Sequence, residues 1–538
     1  MKRRTVLKNM ALAVPALGLP RTSYTNIFEN NEPFAKGKFQ PNWESLAQYE
    51  VPEWFKNAKF GIWAHWGPQC QPEAGDWYAR NMYRVGSKQY KFHLEKYGHP
   101  SKFGFKDVIN QWKADKWQPE ELLARYKKAG AKYFVALGNH HDNFDNWNSK
   151  YQPHWNATQI GPKKDLIGGW EKAARHQGLP FGVSLHGSRP WTWYEPAQGS
   201  DKDGVFDGNF TKKDGKGKWW DGLDPQELYA QNHKRSVKDD IYWHWEEGVS
   251  IPNTAHIKKY VNRVVDVVKK YNPELVYFDD NVLPYDPIST VGLDIVAHIY
   301  NQSMERNGGK QQAVVNTKGL NDMQKNCVVW DVERGHSNII EPKMWQTDTC
   351  IGGWHYEREL YDQNKYKTAK TVIHTLIDVV SKNGNLLLNI PLRGDGSMDQ
   401  KEAIVVEGIG QWMAKYSEGI YDTRPWKIYG EGPAIEGLAE LKGHGFNEGK
   451  GKPFTSEDIR FTTKGGAVYA MPLGEPKNGK IVIKSLKEGS EYFPQKIGQI
   501  ILVGTNQPLE FSRNSAGLEV NLPSSIANDY AYSLKISG

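Results

Sequence analysis

The sequence predicts an α/β fold: a (β/α)8 TIM-like barrel followed by a C-terminal antiparallel β-sandwich. Three observations predict it. From about residue 50 to 400, short apolar runs alternate with amphipathic stretches, the pattern of strands buried on both faces and joined by crossover helices. Seven or eight such units suit a barrel, for which about 250 residues is typical and 400 is common with insertions. After about residue 418 the helical periodicity stops, and short β-like runs separated by Gly, Asn and Pro take over, as in a sandwich.

Taken in order, the N-terminus runs Lys2-Arg3-Arg4-Thr5-Val6-Leu7-Lys8 into a weakly apolar tract ending near Pro20. A basic region before a short apolar one is the pattern of an export signal, and the paired arginines resemble a twin-arginine signal. Residues 1–22 are therefore assigned to an export signal, which implies a periplasmic or extracellular bacterial protein. Residues 23–417 form the barrel. Its strands are expected at 60–64, 133–137, 181–185, 275–278, 313–316, 327–330 and 386–390, with helices over Pro119–Ala131 and Ile257–Lys270, where apolar residues recur at helical spacing. A long insertion at about 200–250 carries Lys218-Trp219-Trp220; its tryptophans favour a functional loop over a disordered one. Residues 418–538 form the sandwich.

Composition excludes several classes. Lys+Arg 69 against Asp+Glu 62 leaves +7, too small an excess for a nucleic-acid partner. No apolar run approaches the roughly 20 residues of a membrane span. Cys70, Cys327 and Cys350 cannot form a disulfide framework or a zinc motif. The unusual count is 21 tryptophans, which either fill an aromatic core or line a site for flat, partly apolar ligands such as sugar rings.

Function in a barrel sits at the carboxyl ends of the strands. There the sequence places His65 and Trp66, then His140, His141 and Asp142, then His186 and Arg189. Later strands lead into Asp279 and Asp280, Asn316 and Lys318, and Asp331, Glu333 and Arg334. A lone His or Asp at such a position is ordinarily a cap, but the coincidence at six strands points to a site. Adjacent histidines on a strand point to opposite faces, and no HExxH or cysteine pair is present, so neither a metal nor a cofactor is expected. Carboxylates on different strands amid histidines and tryptophans match glycoside hydrolysis.

The segment Lys59-Phe60-Gly61-Ile62-Trp63-Ala64-His65-Trp66-Gly67 resembles the KFGI-x-x-HWG signature of glycoside hydrolase family 29, the α-L-fucosidases. Gly75-Asp76-Trp77-Tyr78-Ala79-Arg80-Asn81-Met82 and the block from Ala129 into His140-His141-Asp142 resemble two further elements. Leu275-Val276-Tyr277-Phe278-Asp279 is similar to the nucleophile strand, and Asp378–Ile390 to the closing block. The resemblance implies a retaining, exo-acting hydrolase of terminal fucosyl residues on oligo- or polysaccharides, with a fucosylated glycan as its partner.

By that resemblance Asp279 is the nucleophile. His65, His140, His141 and His186 hydrogen-bond the sugar, Trp77 packs beside it, Lys318 is the basic residue of the next strand, and Trp66 and Trp354 shape the pocket. Asp280 stands where the motif has Gly and should turn away. Many members carry the acid/base in a Trp-Glu pair, where this chain reads Trp345-Gln346; Gln cannot shuttle a proton. The segment Asp331-Val332-Glu333-Arg334-Gly335 resembles the second subfamily and nominates Glu333, with Glu341 and Asp331 as alternatives. Other expectations remain open: a related α-L-galactosidase on an algal-type polysaccharide, with the insertion extending the binding surface, or an inert carbohydrate-binding barrel.

Overall fold

A computed structural model describes residues 33–199, 210–237, 244–435, 445–523 and 530–538. The expected export segment at 1–22 lies outside the described residues, as does part of the insertion. Eight parallel strands close into a barrel: β1 (Phe60–Ala64), β2 (Tyr133–Asn139), β3 (Phe181–Leu185), β4 (Leu275–Asn281), β5 (Val314–Lys318), β6 (Val329–Glu333), β7 (Trp345–Cys350) and β8 (Gly384–Asn389). Each pairs with the next, and β8 closes on β1 with Ile62 opposite Leu388.

Seven of these strands coincide with apolar runs in the sequence. β7 does not, yet all six of its residues are buried. Its polar side chains are bonded across the barrel: Gln346 donates to Asp331 at 2.8 Å and accepts from Tyr133 at 3.0 Å, and Tyr277 donates to Asp348 at 2.9 Å. A buried strand can be polar when most of its polar groups find partners; Asp348 Oδ1, beside the barrel mouth, has none among the described residues.

The expected helices form at Pro119–Lys128 and Thr254–Tyr271. The second starts where the Asn253 side chain accepts from the His256 amide and stops where Asn272 turns left-handed, the pairing of cap types expected at the two ends. Its buried stripe of Ile257, Val261, Val264, Val265 and Val268 packs against the sheet, each side chain contributing roughly 1.5–3 kcal/mol. Further helices follow β2 (Leu166–His176), β4 (Val291–Arg306), β7 (Ala369–Ser381) and β8 (Gln400–Tyr416). Among the described residues no α-helix separates β5 from β6 or β6 from β7, so the outer ring is incomplete on that side.

The C-terminal unit has two antiparallel sheets. The larger joins β9 (Arg424–Glu431), β10 (Ile459–Lys464), β11 (Ala467–Pro472), β13 (Gln499–Leu502), β14 (Gln507–Pro508) and β17 (Leu534–Ser537). The smaller joins β12 (Lys480–Ile483), β15 (Phe511–Arg513) and β16 (Leu518–Asn521). Ile481, Ile483, Leu518 and Val520 from one sheet and Ile500, Leu502, Leu534 and Ile536 from the other are buried in one core.

A buried ion cluster ties this unit to the barrel. Arg460 on β10 donates to Asp378 at 2.6 Å, and Asp378, on the helix Ala369–Ser381, also accepts from Lys382 at 2.6 Å. Burial opposes ionisation of Asp378, but Lys382 and Arg460 hold its carboxyl far below the usual range. Such a depressed carboxyl stabilises the fold above its ordinary pKa and loses that contribution only on strong acidification. Arg460→Ala leaves a buried carboxylate with one cation, so we expect a loss of about 3 kcal/mol, read as a lower thermal midpoint at neutral pH. An unchanged midpoint would show that the cluster contributes nothing.

Candidate active site

Parallel pairing sets the strand ends side by side, and each delivers one or two polar groups to the same end of the barrel. β1 leads into His65, β2 into His140 and His141, and β3 into His186. Asp279 lies near the end of β4, Lys318 ends β5, Glu333 ends β6, and Trp354 and His355 follow β7. All of these but His141 surround a pocket of about 570 Å3 whose wall includes Trp63 and Tyr277 from the barrel interior.

At its centre is Lys318. Its ammonium donates to Asp279 Oδ1 at 2.5 Å and also to Glu333 Oε2. The other Asp279 oxygen accepts from His186 Nδ1 at 3.0 Å and lies 3.1 Å from His141 Nε2. Burial alone would raise the Asp279 carboxyl; Lys318 and the two histidines overcome it and hold the group well below the usual carboxylate range. Burial likewise disfavours the Lys318 ammonium, but Asp279 and Glu333 keep it charged far above the ordinary lysine range. Asp280, which also borders the pocket, has other partners for its carboxylate, accepting from Ser188 at 2.8 Å and Arg189 at 3.0 Å. Two carboxylates adjacent in sequence are thus given separate environments.

His65, His140 and His186 are kept neutral. Burial is the largest cause for each: it pushes His65 and His140 well below the usual imidazole range and His186 to about 4, despite the Asp279 carboxylate. Gln69 donates to His140 Nδ1 at 2.8 Å, and the Gln69 orientation is set because its oxygen accepts from the Ala79 amide. The His140 proton therefore sits on Nε2. His186 donates through Nδ1 to Asp279, which leaves its buried Nε2 as an acceptor, and both ring nitrogens of His65 and of His355 are buried with no hydrogen bond from protein. Unpaired buried polar groups cost about 1–3 kcal/mol each. A wall of neutral donors and acceptors matches a polyhydroxylated ligand.

The same rings bear on metal binding. Ligand atoms of His65, His140 and His355 lie within 4.8 Å of one another, as do those of His140, His141 and His186. Strand alternation does not separate His140 from His141, because β2 ends at Asn139 and their ring centroids lie 4.5 Å apart. Yet His140 presents an N–H rather than a lone pair, and His141 and His186 are engaged with Asp279. The donor set is that of a hydrogen-bonding wall.

Of the residues singled out from sequence, His65, Trp77, His140, His186, Asp279, Lys318, Glu333 and Trp354 all line this pocket. His141 is not among the residues of that wall: it donates through Nδ1 to the His186 carbonyl at 2.7 Å and reaches Asp279 through Nε2. Asp331 and Glu341 lie away from the pocket wall. Asp331 is buried in the barrel with its carboxyl pushed up by burial, and Glu341 accepts from Ser337 at 2.6 Å. Arg334 does not neutralise Glu333; its partner is Glu448, at 3.5 Å.

Sequence reasoning missed His355, Asp348 and Phe446 on the wall. The only signal for His355 was its place beside Trp354, and Asp348 fell in the unrecognised strand β7. Trp66 is a correction. It packs in the core, with ring centroids 5.0 Å from Trp112 and 6.0 Å from Trp117. Trp219 and Trp220 also lie elsewhere, against Asp107 and Lys106. Among the described residues of the insertion, His244 reaches the pocket.

Comparison with known proteins bears on the family and the fold. A family model described as alpha-L-fucosidase matches residues 26–418, and one described as alpha-L-fucosidase C-terminal domain matches residues 452–537. The human tissue alpha-L-fucosidase is 26% identical over 511 residues, covering 93% of this chain and 92% of its own. The rat tissue enzyme is 26% identical over 497 residues, covering 90% and 88%. Among solved structures, the Thermotoga maritima alpha-fucosidase shares 25% identity with a TM-score of 0.67, covering 93% of this chain and 100% of that one. Alpha-L-fucosidase isoenzyme 1 from Paenibacillus thiaminolyticus shares the fold at 18% identity, with a TM-score of 0.59, over 92% and 99%. With its barrel, its C-terminal sheets and most of its length matched, this chain belongs to the alpha-L-fucosidase family, glycoside hydrolase family 29.

Proposed function

We propose that this protein is an exo-acting, retaining α-L-fucosidase that releases terminal fucosyl residues from oligo- or polysaccharides, with Asp279 as nucleophile and Glu333 as acid/base. The observation that carries the reading is the Lys318 ammonium bonded to both carboxylates. Oxygens that share one ammonium lie no farther apart than two hydrogen bonds, close to the roughly 5–5.5 Å of retaining glycosidases and short of the 6.5–9.5 Å of inverting ones. A pocket bounded below by Trp63 and Tyr277 favours a chain end over a chain interior.

In the first step an Asp279 oxygen attacks C1 of the fucosyl ring while Glu333 delivers a proton to the departing glycosidic oxygen. The C1–O bond breaks, and a covalent fucosyl-enzyme forms. In the second, Glu333, now a carboxylate, takes a proton from water as that water attacks C1 and releases Asp279. Lys318 holds Asp279 ionised before attack and accompanies the charge as it returns. His65, His140 and His186 exchange hydrogen bonds with the sugar hydroxyls as neutral rings, and Trp77 and Trp354 offer apolar faces beside them. The basic and apolar tract at residues 1–22 supports export; lysines at Arg3 and Arg4 are expected to leave the protein in the cytoplasmic fraction.

Three further outcomes test the assignment. Asp279→Asn should lower kcat/KM on an aryl α-L-fucoside by about 10³-fold or more; near-normal turnover would remove it as nucleophile. Glu333→Ala should slow substrates with poor leaving groups most, and azide should restore turnover with formation of a fucosyl azide. If that variant cleaves natural glycosides at full rate, another group is the acid/base. Lys318→Gln removes the charge that favours ionised Asp279, so the acidic limb of kcat/KM should move to higher pH by roughly 1–3 units. An unmoved limb would show that Lys318 does not set that ionisation.

A further inference from the structure

The rim of this pocket is completed by the C-terminal unit. Gly445, which follows β9, forms a parallel bridge with Glu333. The Phe446 amide donates to the Glu333 carbonyl at 2.7 Å, and the Glu448 amide donates to the Arg334 carbonyl at 2.9 Å. Asn447 accepts from the His336 amide at 2.9 Å and donates to its carbonyl at 3.1 Å. The Glu448 carboxylate then accepts from Thr349 at 3.0 Å and Lys367 at 2.5 Å. A Cβ at position 445 would stand 2.5 Å from the Glu333 carbonyl oxygen, so glycine permits this approach.

That docking presents an aromatic ring at the mouth of the site. Phe446 lines the pocket and is 60% exposed, with φ at 56°. Its neighbour across the bridge, Arg334, also lines the pocket and has φ at 45°. Bulky residues rarely adopt a left-handed backbone, and such strain gathers at functional positions. An exposed phenyl ring held there, on the backbone of the strand that carries Glu333, suits a ligand that covers it.

We infer that Phe446 is the platform for the leaving-group sugar, its ring stacking on the apolar face of the pyranose that carries the fucose, with the Arg334 guanidinium beside it for that sugar's hydroxyls. The geometry specifies the class: the group expelled past Glu333 must lie outward of that carboxylate, and pyranose rings offer C–H faces that pack on aromatic planes. The inference rests on the fucosidase reading.

The test compares two substrates on the same preparation, so that the folded fraction cancels. One is α-L-fucosyl fluoride, which carries no leaving-group ring. The other is the fucosyl disaccharide turned over fastest by wild type among the 1,2-, 1,3-, 1,4- and 1,6-linked forms. Phe446→Ala should lower the ratio of kcat/KM for disaccharide over fluoride by about tenfold, and Phe446→Trp should restore it. A ratio within about twofold of wild type in Phe446→Ala, or one that Phe446→Trp leaves as low as Ala does, would overturn the platform while leaving the enzyme's activity standing. Failure of wild type to cleave the fluoride would overturn the fucosidase reading itself and the platform with it.

Discussion

A single ammonium shared by two acidic side chains organises this site. Burying a carboxylate favours its acid form, and burying an ammonium favours its neutral form. Apart, Lys318 and Asp279 would each lose charge in the barrel mouth; together they keep it, at the cost of a geometry that must be held closely. The barrel supplies that geometry without flexible loops. β4, β5 and β6 are hydrogen-bonded neighbours, so the three groups stand on adjacent strand ends. The imidazoles of His141 and His186 then close the second Asp279 oxygen against rotation.

Around this charged centre stand the neutral rings of His65, His140 and His186. Rings that burial keeps uncharged can serve as donor on one nitrogen and acceptor on the other, which suits hydroxyl groups that do both. Gln69 shows how far the arrangement is fixed: a backbone amide orients its oxygen, its nitrogen orients His140, and His140 turns an N–H toward the pocket. Specificity for a polyol follows from this chain of contacts more than from any one histidine.

Much of this was legible in the sequence, because strands buried on both faces must be apolar and because the first polar residue after each run marks a strand end. Asp279, Lys318 and Glu333 were found that way together with a motif match. β7 was invisible for the same physical reason. Its Gln346, Thr347 and Asp348 are bonded to Asp331, backbone carbonyls and Tyr277 from other parts of the chain, and no local pattern encodes partners so distant. The tryptophan excess was ambiguous until packing divided it. Trp63, Trp77 and Trp354 face the pocket, while Trp66, Trp112, Trp170 and others are core. The role of His141 also turned on a bond from a neighbouring strand that spacing could not reveal.

The close approach of Gly445 to Glu333 bears on when the protein becomes complete. That contact joins residues about a hundred positions apart in the chain, and at roughly 5–20 residues per second of synthesis the barrel strand waits several seconds for its partner to be made. During that interval the strand end that carries Glu333 is without its outer wall. The order of synthesis therefore separates the making of the barrel's acidic groups from the making of the rim beside them, and the finished rim is a late product of translation.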